Sequence, residues 1–170
     1  MTHGCRFLSL LSSATLLLSA ATFAAGPNDG FRGLRWGSEP TSTMQKVDRK
    51  ANMDRYVIQN DDKRVVGTEA ASIHYLFYGG GLCRIEVQWW PQDNNTYGRI
   101  RAGLTEVWGP PTKADESARL HMLEWISSNE RTGGQLLAME DAKTPELDWW
   151  LTLIIQERAC SKSAIEGKGL

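Results

Sequence analysis

The sequence predicts an α+β domain: a mainly antiparallel sheet of about five to six strands with two helices packed on it, in the order helix, strands, helix, strands. Three observations carry this. Ile73, Tyr75 and Phe77 alternate with polar or smaller neighbours before Gly79-Gly80-Gly81, and Cys83, Ile85, Val87 and Trp89 alternate after it. A period of two on both sides of a glycine turn is a hairpin signal. Tyr97, Ile100, Leu104, Val107 and Trp108 recur at helical spacing, predicting an amphipathic helix over Thr96 to Trp108. Helical segments separated by runs of strands, not alternating with them singly, mark an α+β fold and not a doubly wound one.

The remaining elements follow in chain order. Ser38-Glu39-Pro40-Thr41 offers helix-start chemistry, and Met44, Val47 and Ala51 form a thin apolar stripe, so a short helix is expected from Thr41 to Lys50. Tyr56 to Gln59 is a short strand stopped by Asn60-Asp61-Asp62. Gly109-Pro110-Pro111 ends the second helix. Strands are expected over residues 119–127, over Gln135 to Glu140 after Gly133-Gly134, and over Asp148 to Glu157. The last is apolar on both faces and is expected to be an interior strand covered on both. The tail from Ser161 to Leu170 is small and polar and is expected to fray. The organisation expected is a signal peptide (1–24), one α+β domain (25–160) and a flexible tail (161–170).

The N-terminus carries the compartment signal. One basic residue, Arg6, precedes an uncharged run from Phe7 to Phe23 rich in Leu, Ala and Ser. Thr22-Phe23-Ala24 supplies small residues for cleavage after Ala24, and Ala24-Ala25-Gly26 for cleavage after Gly26. This order reads as a secretory signal; the competing reading is an uncleaved anchor, since the run is nearly long enough to span a bilayer. Export to the periplasm or beyond, with no membrane span after signal removal, is the expectation. The full chain has 19 basic and 20 acidic residues, so no basic surface for nucleic acid is apparent. Apolar content, with 41% hydrophobic residues, excludes disordered and fibrous classes.

Removal of the leader leaves two cysteines, Cys83 and Cys160. In an oxidising compartment they form one disulfide most simply, the alternative being two buried thiols. The alternation places Cys83 on the core face of its strand. No CxxC or HxxxH accompanies either cysteine, so no metal and no cofactor is expected.

No catalytic set assembles from the sequence. His74 and His121 each lie in a strand; His121 and Glu124, three apart, fall on opposite faces, and His74 opposes Glu86 across the hairpin, where a sheet contact is the ordinary explanation. There is no GxSxG, SxxK, GxxxxGK[ST], GxGxxG or HExxH pattern. The carboxylates cluster in turns without calcium-loop spacing. Tryptophan stands out. Trp89-Trp90 and Trp149-Trp150 each send one ring to either face of a strand, which puts a second ring of each pair near Gln88, Arg84 and Thr152. Those rings are either covered by a further layer or form a binding patch of Trp90, Trp150, Arg84 and Gln88.

Gly30-Phe31-Arg32-Gly33-Leu34-Arg35-Trp36-Gly37 resembles the opening of a group of small exported bacterial proteins that begin with a Phe-Arg-Gly-Ile-x-Trp-Gly-like motif after the signal peptide. Those proteins also carry a strand pair followed by a helix ending in a Gly-x-Pro-like element, comparable to Trp108-Gly109-Pro110. Leu34 stands where Ile is usual. The resemblance implies export and a similar layout, and carries over no catalytic residue. The function expected is a non-enzymatic exported protein that binds an envelope protein or a small envelope ligand. The rivals are an inhibitor or immunity-type protein acting through a loop such as Asn60–Lys63 or 141–146, and a hydrolase using carboxylates.

Overall fold

The structure, a computed structural model, describes residues 29–90, 95–117, 120–140 and 149–167. The expected signal segment and the loop at 141–146 lie outside the described residues. The chain is α+β. The strands are β1 (Gly30–Phe31), β2 (Leu34–Arg35), β3 (Met44–Lys50), β4 (Met53–Ile58), β5 (Arg64–Val65), β6 (Thr68–Glu69), β7 (Ser72–Tyr78) and β8 (Gly81–Trp89). Helix α1 (Thr96–Trp108) follows, then β9 (Lys113–Glu116), β10 (Leu120–Ile126), β11 (Thr132–Glu140), β12 (Trp149–Glu157) and α2 (Arg158–Glu166).

Eight strands form one antiparallel sheet in the order β3-β4-β7-β8-β12-β11-β10-β9, larger than the five to six strands expected. β1-β2 and β5-β6 are separate two-stranded hairpins. The sheet is two four-stranded meanders joined where β8 pairs with β12, and each meander is followed by a helix. The helices take opposite faces. α1 buries Ile100 and Leu104 against Tyr75, Ile85, Val87, Trp89, Leu123, Leu136 and Leu153, and the two hairpins add Phe31, Leu34, Trp36, Val65 and Val66 to that core. α2 makes a small second core on the other face, where Ala164 and Cys160 meet Met53, Leu76 and Cys83.

Two expectations fail, for identifiable reasons. Residues 44–50 form edge strand β3, not a helix. A three-residue stripe is too thin to bury, and Val47, at a register shift between Lys46 and Asp48, is exposed. Ala51 (φ 48°) and Asn52 (φ 62°) instead close a two-residue turn into β4, the left-handed geometry that matches strand twist. The tail does not fray over residues 161–166: α2 runs to Glu166, its first turn capped by the Glu157 carboxylate accepting from Cys160 N–H at 2.6 Å. Helical character there depends on the docking of Ala164 and Ser161, which a polar sequence conceals.

β11 begins at Thr132, so Gly133-Gly134 lie inside the sheet and not in a turn. A Cβ on Gly134 would stand 2.5 Å from the Trp108 ring; the glycine lets the end of α1 lie directly on the sheet. There Trp108 meets Trp125 edge-on at 5.7 Å, and the Trp125 indole donates to the Gly109 carbonyl at 2.9 Å.

Candidate functional site

Register determines which side chains share the face opposite α1. Across β8, β12, β11 and β10, Leu151 pairs with Trp89, Met139 with Trp150, and Leu120 with Met139. Trp90, the residue after β8, continues that ladder beside Trp150. Trp90, Trp150, Met139 and Leu120 therefore form one row across four adjacent strands. Trp90 is 58% exposed, Trp150 40% and Met139 51%. The two indoles touch, with centroids 4.4 Å apart and planes tilted by 59°. The alternation that buries Trp89 on the α1 face sends Trp90 outward, as expected for adjacent strand residues. The Trp149 side chain lies outside the described residues.

The next row on this face holds Gln88, Thr152, Leu137, Met122 and Asp115, and the one beyond it His74, Glu86, Ile154, Gln135 and Glu124. Leu137, Met122 and Ile154 are half-buried, so the apolar surface continues from the tryptophans into the sheet. Gln88 sits beside the row, its side-chain Oε1 accepting from the Ser72 hydroxyl at 3.1 Å.

Arg84 is not part of this patch. It lies six residues from Trp90 along β8, roughly 20 Å away at the strand rise, underneath α2. It donates to the Ser161 hydroxyl, and its guanidinium stands 3.6 Å from the Glu86 carboxylate. Its role is to join α2 to the sheet. Glu86, 4% exposed, also takes Lys50 at 3.1 Å. A groove of about 500 Å³ opens beside Arg84 and α2, lined by Arg84, Gln156, Ser161 and Lys162 among others. Burial lowers the Arg84 pKa, countered by Glu86. His74 opposes Glu86 as the alternation predicted. Burial, and then the Arg55 charge, holds its imidazole below the ordinary histidine range, against the pull of Glu86 and Asp48.

Cys83 and Cys160 form a disulfide with Cα atoms 5.7 Å apart. Cys83 is not on the main core face: the β7–β8 register shifts between Leu76 and Phe77, and the extra residue on β8 turns Cys83 toward α2. The alternation reads through that bulge and so misassigns the face.

A second polar cluster, on the α1 side, was not legible in the sequence. Glu116 accepts from Tyr97 Oη at 2.9 Å and from Arg101 at 2.7 Å, and His121 lies 3.8 Å away. Burial and the bond to Glu116 push the Tyr97 phenol up to about 12, so it stays protonated at neutral pH. Chemically this is a clamp between α1 and β9, its carboxylate committed to two donors. The only available signal was the spacing of Glu116 and His121 across a tight connection. Among the described residues, no group of three or more His, Cys, Asp or Glu side chains is placed to hold a metal ion, and no helix is long and apolar enough to cross a membrane.

The Gly30–Gly37 opening has a structural role. Arg32 and Gly33 form the turn between β1 and β2. The Arg32 guanidinium donates to Asp61 at 2.8 Å, and Tyr75 Oη donates to the same carboxylate at 2.9 Å. Asp61 is thereby pinned, which anchors the Asn60–Lys63 loop to the first hairpin and to β7.

Comparison with protein-family models, with curated proteins and with solved structures gives no match.

Proposed function

We propose that this chain is a non-enzymatic, exported binding protein, acting in the periplasm or outside the cell on an envelope protein or small envelope ligand, and that it recognises its target with the sheet face carrying Trp90 and Trp150. The observation behind this is that two contacting tryptophans stand exposed in an apolar row on a face that α2 covers only at its far end. Trp is a favoured anchor in interfaces, because a large rigid ring loses little entropy on binding. The disulfide, and the signal-like leader in the sequence, favour an oxidising compartment. The polar clusters favour scaffold over catalysis, since Glu86 and Glu116 are each held by two cationic or phenolic donors.

The test is crosslinking capture from the native envelope with the disulfide-bonded protein as bait, in parallel with Trp90→Ala and Trp150→Ala. Loss of a stoichiometric partner by folded variants supports the reading. Undiminished capture by both variants removes this face from consideration.

A further inference from the structure

We infer that the open face between β8 and β10 takes a short amphipathic peptide segment of a partner protein, apolar along one side and bearing a lysine or arginine that meets Asp115. This rests on the binding reading above and names the chemistry of the target.

The size of the face comes first. The row from Trp90 to Leu120 crosses three interstrand spacings, about 14 Å, and the apolar side chains extend two further rows, about 13 Å, along the strands. With side-chain margins, that is on the order of 400 Å², the size of a functional patch on a monomer. It is about half of the roughly 800 Å² per partner that a standard stable interface occupies. A second copy seated on this patch alone would therefore be held weakly, whereas a peptide helix of about three turns, roughly 15 Å long, covers it.

The sheet edges turn away the other peptide mode. β3 carries Lys46, Asp48, Arg49 and Lys50, and β9 reads Lys-Ala-Asp-Glu. Charged edge strands disfavour the addition of a strand, so the face and not the edge is presented.

Charge then sets the composition and direction. On the β9 side the apolar surface ends at Met122, whose register partner is Asp115. Asp115 is exposed and no ion pair to it occurs among the described residues, whereas its neighbours are committed: Glu116 to Arg101 and Tyr97, Glu124 to Lys113. A cation following an apolar stretch is the complement of this end. Trp and Met are suited to receive a varied apolar stripe, the first as rigid anchors and the second as adaptable filler.

The experiment uses the full disulfide-bonded chain and a leucine–lysine peptide of about fourteen residues with one apolar stripe, about 20 Å as a helix. A scrambled peptide of the same composition, and palmitate as a bare acyl chain, complete the set. Binding is followed by tryptophan fluorescence and calorimetry, with circular dichroism and thermal melts confirming each variant's fold. The expected result is micromolar binding of the striped peptide and at least tenfold weaker binding of the scrambled one. Trp90→Ala and Met139→Ser should each weaken it by tenfold or more. Asp115→Asn should weaken it several-fold at low ionic strength, with the difference shrinking at high salt. Equal binding of the scrambled peptide, or stronger saturation by palmitate, overturns the proposal. So does a dimer in sedimentation that Trp90→Ala dissolves, since a second copy then covers the face. If the peptide fails while capture of a native partner is still lost in Trp90→Ala, the peptide chemistry is wrong and the binding reading survives. If capture is also unaffected by Trp90→Ala, both fall.

Discussion

Trp90 and Trp89 are neighbours in the chain and opposites in environment, the first exposed and the second sealed against α1. Truncating Trp90 removes little buried area, so Trp90→Ala should change unfolding free energy by less than about 1 kcal/mol, whereas Trp89→Ala should cost about 3–5 kcal/mol. Urea titration of both variants checks this, and a large loss in Trp90→Ala would mean that the ring belongs to a packed layer. Arg32 and Asp61 make the second residue-scale case. Their bond, shared with Tyr75, holds the first hairpin onto the core. Arg32→Ala and Asp61→Asn should each cost about 1–2 kcal/mol and show clear coupling in a double-mutant cycle. His74 supplies a pH signature. Its folded-state pKa lies below the unfolded value, so the unfolded chain binds more protons between the two. Stability is then full above about pH 6.5 and is lost as pH falls through the folded-state value. The groups facing it are Glu86, Arg55, Asp48 and Lys50. Melting curves from pH 7.5 downward should show this slope, flattened in His74→Gln.

The last turn of helix α1 lies on strand β11 at Gly134. Gly134→Val would drive its side chain into the Trp108 ring, and overpacking of this kind costs about 1–3 kcal/mol. The expected readout is a lower melting temperature and a changed tryptophan emission, while Gly133→Ala, whose Cβ would stand 3.2 Å from Trp125 O and 3.8 Å from the Arg158 side chain, should cost less. The β3–β4 turn is the corresponding point for α2. Asn52 adopts the left-handed conformation and its side-chain amide donates to the Ala164 carbonyl at 3.1 Å. Asn52→Ala should therefore loosen both the turn and the end of α2, at about 1–2 kcal/mol. Hydrogen exchange should report faster exchange in α2 and β3 with β8 and β12 unchanged. The same turn explains the mistaken helix at Thr41 to Lys50: the stripe of Met44, Val47 and Ala51 satisfies a helical template, but only the Asn at the end of the segment encodes a hairpin.

For the whole molecule, the Cys83–Cys160 bridge ties the second helix to the first meander across 77 residues of chain. Reduction, or replacement of both cysteines by Ala, should lower stability by roughly 4 kcal/mol in the chain-entropy description, measured by urea unfolding with and without reductant. α2 should detach first, because without the bridge its buried apolar anchor is Ala164, supported by the Ser161, Asn52 and Arg158 hydrogen bonds. What was legible in the sequence is what short-range periodicity encodes: α1 from Thr96 to Trp108, the β7–β8 hairpin, the central place of β12 in the sheet and the opposite facing of Trp89 and Trp90; the expected cover on both faces of β12 is missing at Trp150, which is 40% exposed. The pairing of the two cysteines followed from their number. Periodicity cannot see across the chain. It did not show that β8 and β12 join two meanders into one eight-stranded sheet, that a bulge rotates Cys83 onto the second face, or that Arg84 goes under α2 and away from the tryptophans. Nor could it bring Met139 and Leu120, on strands far apart in sequence, into line with Trp90 and Trp150. Strand register is a long-range choice, made by burying the α1 face as one continuous core, and the open apolar row on the reverse of the sheet is a consequence of that choice.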